Sequence, residues 1–171
     1  IKRAKIVAPN IVVEGEGQRG LLGGLSFDGT AKVASLAPIR SGMKGSASIK
    51  WSASQARDKP WNFNAEARGA GFASGLAELD RLVGAAPRVS ARAACDNGKL
   101  SVAVGKLDGA SARARTSGVM NPGGALAFKL DWSAEGPFGA GPVEVSGKAS
   151  GTGAIAGTLA CGGGALAADV F

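Results

Sequence analysis

Few kinds of side chain able to do chemistry are present. The 171-residue chain carries 13 Asp and Glu, 20 Lys and Arg, two Cys, and neither His nor Tyr. A serine-type triad therefore lacks its usual base outright. Cys95 and Cys161 have no base marked beside them to draw out a thiolate. With no histidine and no CxxC pair, the zinc spacings are missing too. The simpler reading of the two cysteines is a pair of small buried hydrophobes, since a disulfide needs a geometry that spacing alone does not supply. The acids Glu14, Glu16, Asp28, Glu66 and Glu144 fall at turns or at exposed strand positions, which argues against a carboxylate pair of the glycosidase kind. Gly15-Glu16-Gly17-Gln18-Arg19-Gly20 matches GxGxxG by letters, yet no helix opens after it. Its glycines are read as part of a turn region over 15–24, not as a dinucleotide cradle. The expectation is a non-catalytic chain with no metal and no cofactor.

The net charge of +7 and pI near 9.9 do not gather into a block. Arg88 and Arg92, or Arg113 and Arg115, sit singly at alternate positions, as on a solvated strand face. No aromatic ladder accompanies them, so nucleic acid is not an expected partner. No apolar run is long enough to cross a bilayer, and no secretory signal opens the chain. Residues 1–7 already read as strand and residues 165–171 stop within one. The chain is therefore read as an interior piece of a larger protein.

The elements that must position any site are strands. Leu126, Phe128, Leu130 and Trp132 alternate with Ala127, Lys129 and Asp131. After a glycine-rich turn Val143 and Val145 alternate, and then Ile155 and Leu159. Period-two alternation places all the large side chains of a strand on one side of a sheet. The same pattern marks Ala47, Ile49 and Trp51, then Trp61 and Phe63, then Val89, Ala91, Ala93 and Cys95. Asp96-Asn97-Gly98 is the strongest hairpin turn. Leu100, Val102 and Val104 follow in one phase, a turn is expected over 106–109, and a weak strand over 111–119. So many large apolar side chains cannot all face water in a stable monomer, because burying each is worth roughly 1.5–3 kcal/mol. They meet each other, a helix or an apolar ligand.

One helix is expected, over 75–83, with Ser74 as N-cap, an apolar stripe of Leu76, Leu79, Leu82 and Val83, and Gly84 as C-terminal cap. It separates irregular strands over 1–73 from a regular meander over 85–171, within one domain and one sheet. Several strands offer little but alanine and glycine, which fill a sandwich core poorly. The expected fold is all-β: a long curved, U-shaped (β-taco-like), mostly antiparallel sheet with an apolar interior and one short helix. Its lining would be Trp61, Phe63, Val89, Leu100, Val102, Val104, Leu126, Phe128, Leu130, Trp132, Val143, Val145, Ile155 and Leu159. A β-solenoid or sandwich of purely structural role, or a chaperone using exposed strand edges, are the competing readings.

Certain runs carry a resemblance. Leu79-Asp80-Arg81-Leu82-Val83-Gly84-Ala85-Ala86-Pro87, Leu130-Asp131-Trp132-Ser133-Ala134-Glu135-Gly136-Pro137-Phe138 and the stretch 142–153 resemble segments of the TamB family of Gram-negative envelope proteins. Residues 20–25 and 51–55 extend the likeness, while Cys161-Gly162-Gly163-Gly164 departs from it where a proline-containing turn is expected. The resemblance implies a periplasmic protein anchored in the inner membrane outside this stretch and partnered with an outer-membrane barrel of the TamA type. It implies an apolar groove that carries phospholipid acyl chains between the membranes and supports outer-membrane assembly.

Overall fold

A computed structural model describes residues 2–39, 41–138, 146–160 and 163–170. Val143, Val145 and Cys161 lie outside the described residues.

The fold is all-β. Eleven strands form a single antiparallel meander: β1 (Lys2–Ala8), β2 (Ile11–Arg19), β3 (Leu25–Val33), β4 (Lys44–Gln55), β5 (Trp61–Ala73), β6 (Arg88–Asp96), β7 (Lys99–Asp108), β8 (Ala112–Met120), β9 (Ala125–Glu135), β10 (Lys148–Ala160) and β11 (Gly163–Val170). Spatial order equals chain order, so every strand pairs with the one before it and the one after it. Helix α1 (Ala77–Val83) interrupts the chain but not the sheet, because β5 pairs directly with β6 from Trp61↔Cys95 to Arg68↔Arg88.

The meander gives the sheet two unlike borders. At one border the connections β2–β3, β4–β5, β6–β7 and β8–β9 are short turns. Asn97 (φ 48°) and Gly98 (φ 77°) make the tightest of them, with the paired positive φ angles that a two-residue hairpin requires. At the other border the tight β1–β2 and β7–β8 turns alternate with longer connections, including residues 34–43 and α1.

Helix α1 starts later than its sequence suggests. Gly75 has φ 84° and cannot begin a right-handed helix, and Leu76 occupies the N-cap position without a side-chain cap. Ser74 acts one step earlier: its Oγ accepts the Leu76 N–H at 3.1 Å. The Asp80 carboxylate reaches back to accept the Ser74 and Gly75 N–H groups. Gly84 is the C-cap, as its spacing predicts. The helix end docks on the β7–β8 turn, where the Ala110 and Ser111 N–H groups donate to the Val83 and Leu82 carbonyls at 3.0 and 2.8 Å. Only Val83 of the helical stripe is buried; Leu76 and Leu79 stay exposed.

Other expectations need correction. Residues 15–24 are not one turn: β2 runs on to Arg19 and only 20–24 turn. Residues 106–108 are strand, so Leu107 joins the sheet. Irregularity is found on both sides of the helix and not only before it. β1, β2, β3 and β4 pair without a break up to a single shift at Lys44/Ser46, whereas β7 carries a bulge against both its neighbours.

The sheet has little core. Ala31, Leu36, Ala53, Val83, Leu126 and Ala134 are the buried apolar residues among those described, and no large side chain is fully buried. The accessible surface is 11510 Å². A compact monomer of 16.9 kDa exposes about 7,700 Å². An excess of that size belongs to an open sheet, not to a sandwich closed on itself.

Candidate functional site: an uncharged sheet face

Directly paired residues in an antiparallel ladder share a face, so the registers sort every strand residue to one side. Nine ladder partners make one row across the sheet: Gly17, Phe27, Ala53, Phe63, Ala93, Val102, Gly118, Phe128 and Ile155. A second row runs Val13, Ala31, Ile49, Ala67, Val89, Leu107, Ala114, Trp132 and Gly151. Between them lies a third, with Gly15, Gly29, Trp51, Ala65, Ala91, Gly105, Thr116, Leu130 and Gly153. Trp61, Cys95, Leu100, Met120 and Leu126 form part of a fourth.

From β2 to β10 this face carries one charge in its phase, Arg19 at the end of β2 opposite Leu25. The other face carries the rest. Lys5 and Glu14 meet there at 2.7 Å, Arg3 and Glu16 at 3.5 Å, and Arg113 and Asp108 at 3.8 Å, all exposed. The hydrogen bond from Lys5, followed by its charge, holds the Glu14 carboxyl below the ordinary value. Exposed pairs of this kind add little stability; what they do is mark the watered side.

Glycines sit beside rings in the rows for a steric reason. The Trp51 ring lies across Gly15 and Gly29, so that a Cβ on Gly29 would stand 2.5 Å from the indole and would also collide with the Glu14 carbonyl. The Phe27 ring lies over Gly17, where a Cβ would stand 2.5 Å from it. On the same face, in β8 and β9, Phe128 lies over Gly118 in the same way. Each of these rings leans on the strand that precedes its own. The aromatics thus lie down on the sheet instead of standing from it, and the surface they make is shallow. Phe27 and Trp61 approach to 6.0 Å between ring centroids, and Trp61 and Phe63 to 6.3 Å.

Most of this face is half-exposed. Phe27 keeps 37% and Phe63 38% of its surface, while Leu126 keeps 8%. Over β1–β4 the face hollows into a cavity of about 520 Å³ bounded by Ile6, Val13, Leu25, Phe27 and Trp51, with Arg19 at its margin. A second cavity, of about 640 Å³, lies by the β7–β8 turn and is bounded by Ser111, Arg113, Ser133, Glu135 and Lys148. It assembles no catalytic constellation. Among the described residues no three metal-ligating side chains cluster, and Cys95 is half-buried and unbridged. The Trp132 indole Nε1 is buried with no hydrogen-bond partner.

Trp61, Phe63, Val89, Leu100, Val102, Leu126, Phe128, Leu130, Trp132 and Ile155, all expected on one face, do share it. Leu159 lies in β10 opposite Gly164. Val104 does not share the face. The β7 bulge sets Val102 against Ala93 but Val104 against Arg92, which turns Val104 to the charged side and leaves it exposed. Leu107 takes up the phase beyond the bulge, opposite Val89. The sequence reading of the lining also passed over Ile6, Val13, Phe27, Ile49, Trp51 and Met120. The signal for Ile49 and Trp51 was their clean alternation. For Phe27 it was the two-residue spacing from Leu25.

No protein-family model matches the chain, and neither a curated protein nor a solved structure matches it. No helix among the described residues is long and apolar enough to cross a membrane.

Proposed function

We propose that the uncharged face is the working surface of a non-catalytic lipid carrier, and that it shelters the acyl chains of phospholipids. The observation that carries this reading is one apolar phase kept across successive strands on a sheet whose apolar side chains stay half-exposed. A structural spacer has no use for such a face unless it is filled. The rows run across the strands, so an acyl chain laid along them meets rings, aliphatic side chains and small residues in turn. Every methylene sheltered from water is worth about 0.8 kcal/mol. Because the apolar phase is kept from strand to strand, a chain moves by exchanging one apolar contact for another. Headgroups would stay at the borders, where backbone turns and charged side chains meet water.

In this reading the chain is part of a TamB-like protein of the Gram-negative envelope. It would be anchored to the inner membrane elsewhere, work in the periplasm, and act with an outer-membrane barrel of the TamA type in moving phospholipid and supporting outer-membrane assembly. The motifs over 79–87, 130–138 and 142–153 support that placement.

The test is native mass spectrometry of the purified chain, alone and with Phe128→Asp or Leu130→Arg. Co-purified phospholipid in the native chain and its loss from folded variants are expected. Variants that keep both their circular dichroism and their lipid would overturn the reading. Leu126 is unsuited to this test, because at 8% exposure it reports on stability first.

A further inference from the structure

The short-turn border carries one tip unlike its neighbours. The turn between β2 and β3 is closed by two hydrogen bonds, from the Gly20 N–H to the Gly24 carbonyl at 2.8 Å and from the Gly23 N–H to the Gly20 carbonyl at 3.0 Å. Leu21 and Leu22 sit at its outer positions, exposed by 107% and 89%. They are the two most exposed large hydrophobics among the described residues; the next, Ile39, reaches 69%. Turns of this size ordinarily take Asn, Asp, Ser, Gly or Pro. The other tips of the same border obey that rule, with Asn97-Gly98 and Asn121-Pro122-Gly123-Gly124. A tight, hydrogen-bonded turn that holds two adjacent leucines fully in water contributes nothing to packing. Its apolar surface lacks a partner.

The surroundings say which partner fits. Arg19 precedes the turn and is exposed. The Cδ of Arg57, in the adjoining β4–β5 turn, would lie 3.7 Å from a Cβ on Gly23, so that side chain stands beside the leucines. Lys59 is exposed in the same β4–β5 turn. Against these three cations stands one carboxylate, Asp58, which meets Arg57 at 3.6 Å. Two leucines projecting from a basic collar match a bilayer with anionic headgroups: the apolar tip enters between the headgroups while the cations meet phosphate. A basic protein groove would be repelled by the collar, and an acidic one would have to offer an apolar socket within it.

We propose that residues 19–24, with Arg57 and Lys59, form a membrane-contact tip for an anionic bilayer. This goes beyond the acyl-chain reading and does not need it, since a tip can dock a sheet whose face is never loaded. Arg19 and Leu25 also border the 520 Å³ cavity, so a bilayer held at this tip lies against the open margin of the apolar face.

The experiment is co-sedimentation of the chain with vesicles of phosphatidylglycerol and phosphatidylcholine in equal parts, and with vesicles of phosphatidylcholine alone. The native chain should bind the mixed vesicles and bind the neutral ones markedly less. Leu21→Ser with Leu22→Ser should lower binding by about tenfold or more, since each tenfold needs only about 1.4 kcal/mol. That double variant should melt where the native chain melts. Arg57→Gln should weaken binding to mixed vesicles alone. Thr152→Ala, on the charged face of β10, should leave vesicle binding intact. Equal binding by the native chain and the double variant overturns the proposal, as does binding indifferent to phosphatidylglycerol. Self-association in the absence of vesicles that the serine variants abolish also overturns it, by making the tip a contact between copies of this chain.

Discussion

The two faces of this sheet are made from the same strands, yet they are different materials. One is a surface of isolated charges whose partners lie across a strand gap in water, as Lys5 and Glu14 do. The other is a pavement of rings and alanines in which position is set by steric fit: Trp51 rests on Gly15 and Gly29, and Phe27 on Gly17. Substitutions on the charged face remove weak, screened interactions. Substitutions on the apolar face remove contacts that hold neighbouring side chains in place. The thin core makes the contrast sharper, because the apolar face holds most of the buried side chains that the strands possess.

The largest break of this contrast should come from Leu126→Asp. It puts a carboxylate at one of the few buried apolar positions, and a loss of about 3 kcal/mol or more is expected in urea unfolding. Lys129→Ala, on the opposite side of the same strand, should change stability by no more than about 0.5 kcal/mol. Next comes the bulge. Val102→Lys should cost about 2 kcal/mol, whereas Val104→Lys two residues on should be within about 0.5 kcal/mol of neutral. Equal costs would mean that β7 has no bulge and that both valines face the same way. Gly17→Ala should cost about 1 kcal/mol, because its Cβ meets only the Phe27 ring, which can tilt up. The tilt is the sharper readout, as an altered near-ultraviolet dichroism from the Phe27–Trp61 cluster.

The smallest effect concerns the border. The hydroxyl of Ser74, followed by its backbone N–H, holds the Asp80 carboxyl below its ordinary value. A carboxyl lowered in the folded chain contributes stability above its unfolded pKa and loses it as pH falls through the folded one. Acidification below about pH 4 should therefore loosen the start of α1, and Asp80→Asn should remove that pH dependence. Amide exchange at Leu76 and Ala77 would report it.

How much of this was legible in the residues follows from what leaves a mark in them. Period-two alternation is such a mark, and it placed Trp61, Phe63, Leu126, Phe128, Leu130 and Trp132 on one side correctly. A bulge leaves none here: Ala103-Val104 is neither Gly nor Pro, so the change of face at Val104 follows only from pairing with Arg92. Glycine misled in a third way. Gly15 and Gly17 looked like turn residues, but they are small because rings from later strands, Trp51 of β4 and Phe27 of β3, lie on them, a relation between positions 10 to 36 residues apart that no local window contains. Ser74 is not the N-cap its spacing suggests; Leu76 takes that position. Gly75 turns to positive φ and delays the helix. The function of the apolar face was the least legible part, since alternation says which residues face together and not what they face.

The identity of spatial and chain order has a consequence for how the sheet is made. Each new hairpin needs only the strand just before it as a template, so most native pairings join residues close in sequence. Such a topology folds progressively from a growing or emerging end, without waiting for a distant partner. It also makes length a free variable: adding or removing a whole hairpin preserves the phase of every other strand, whereas a single-residue insertion inverts everything on one side of it.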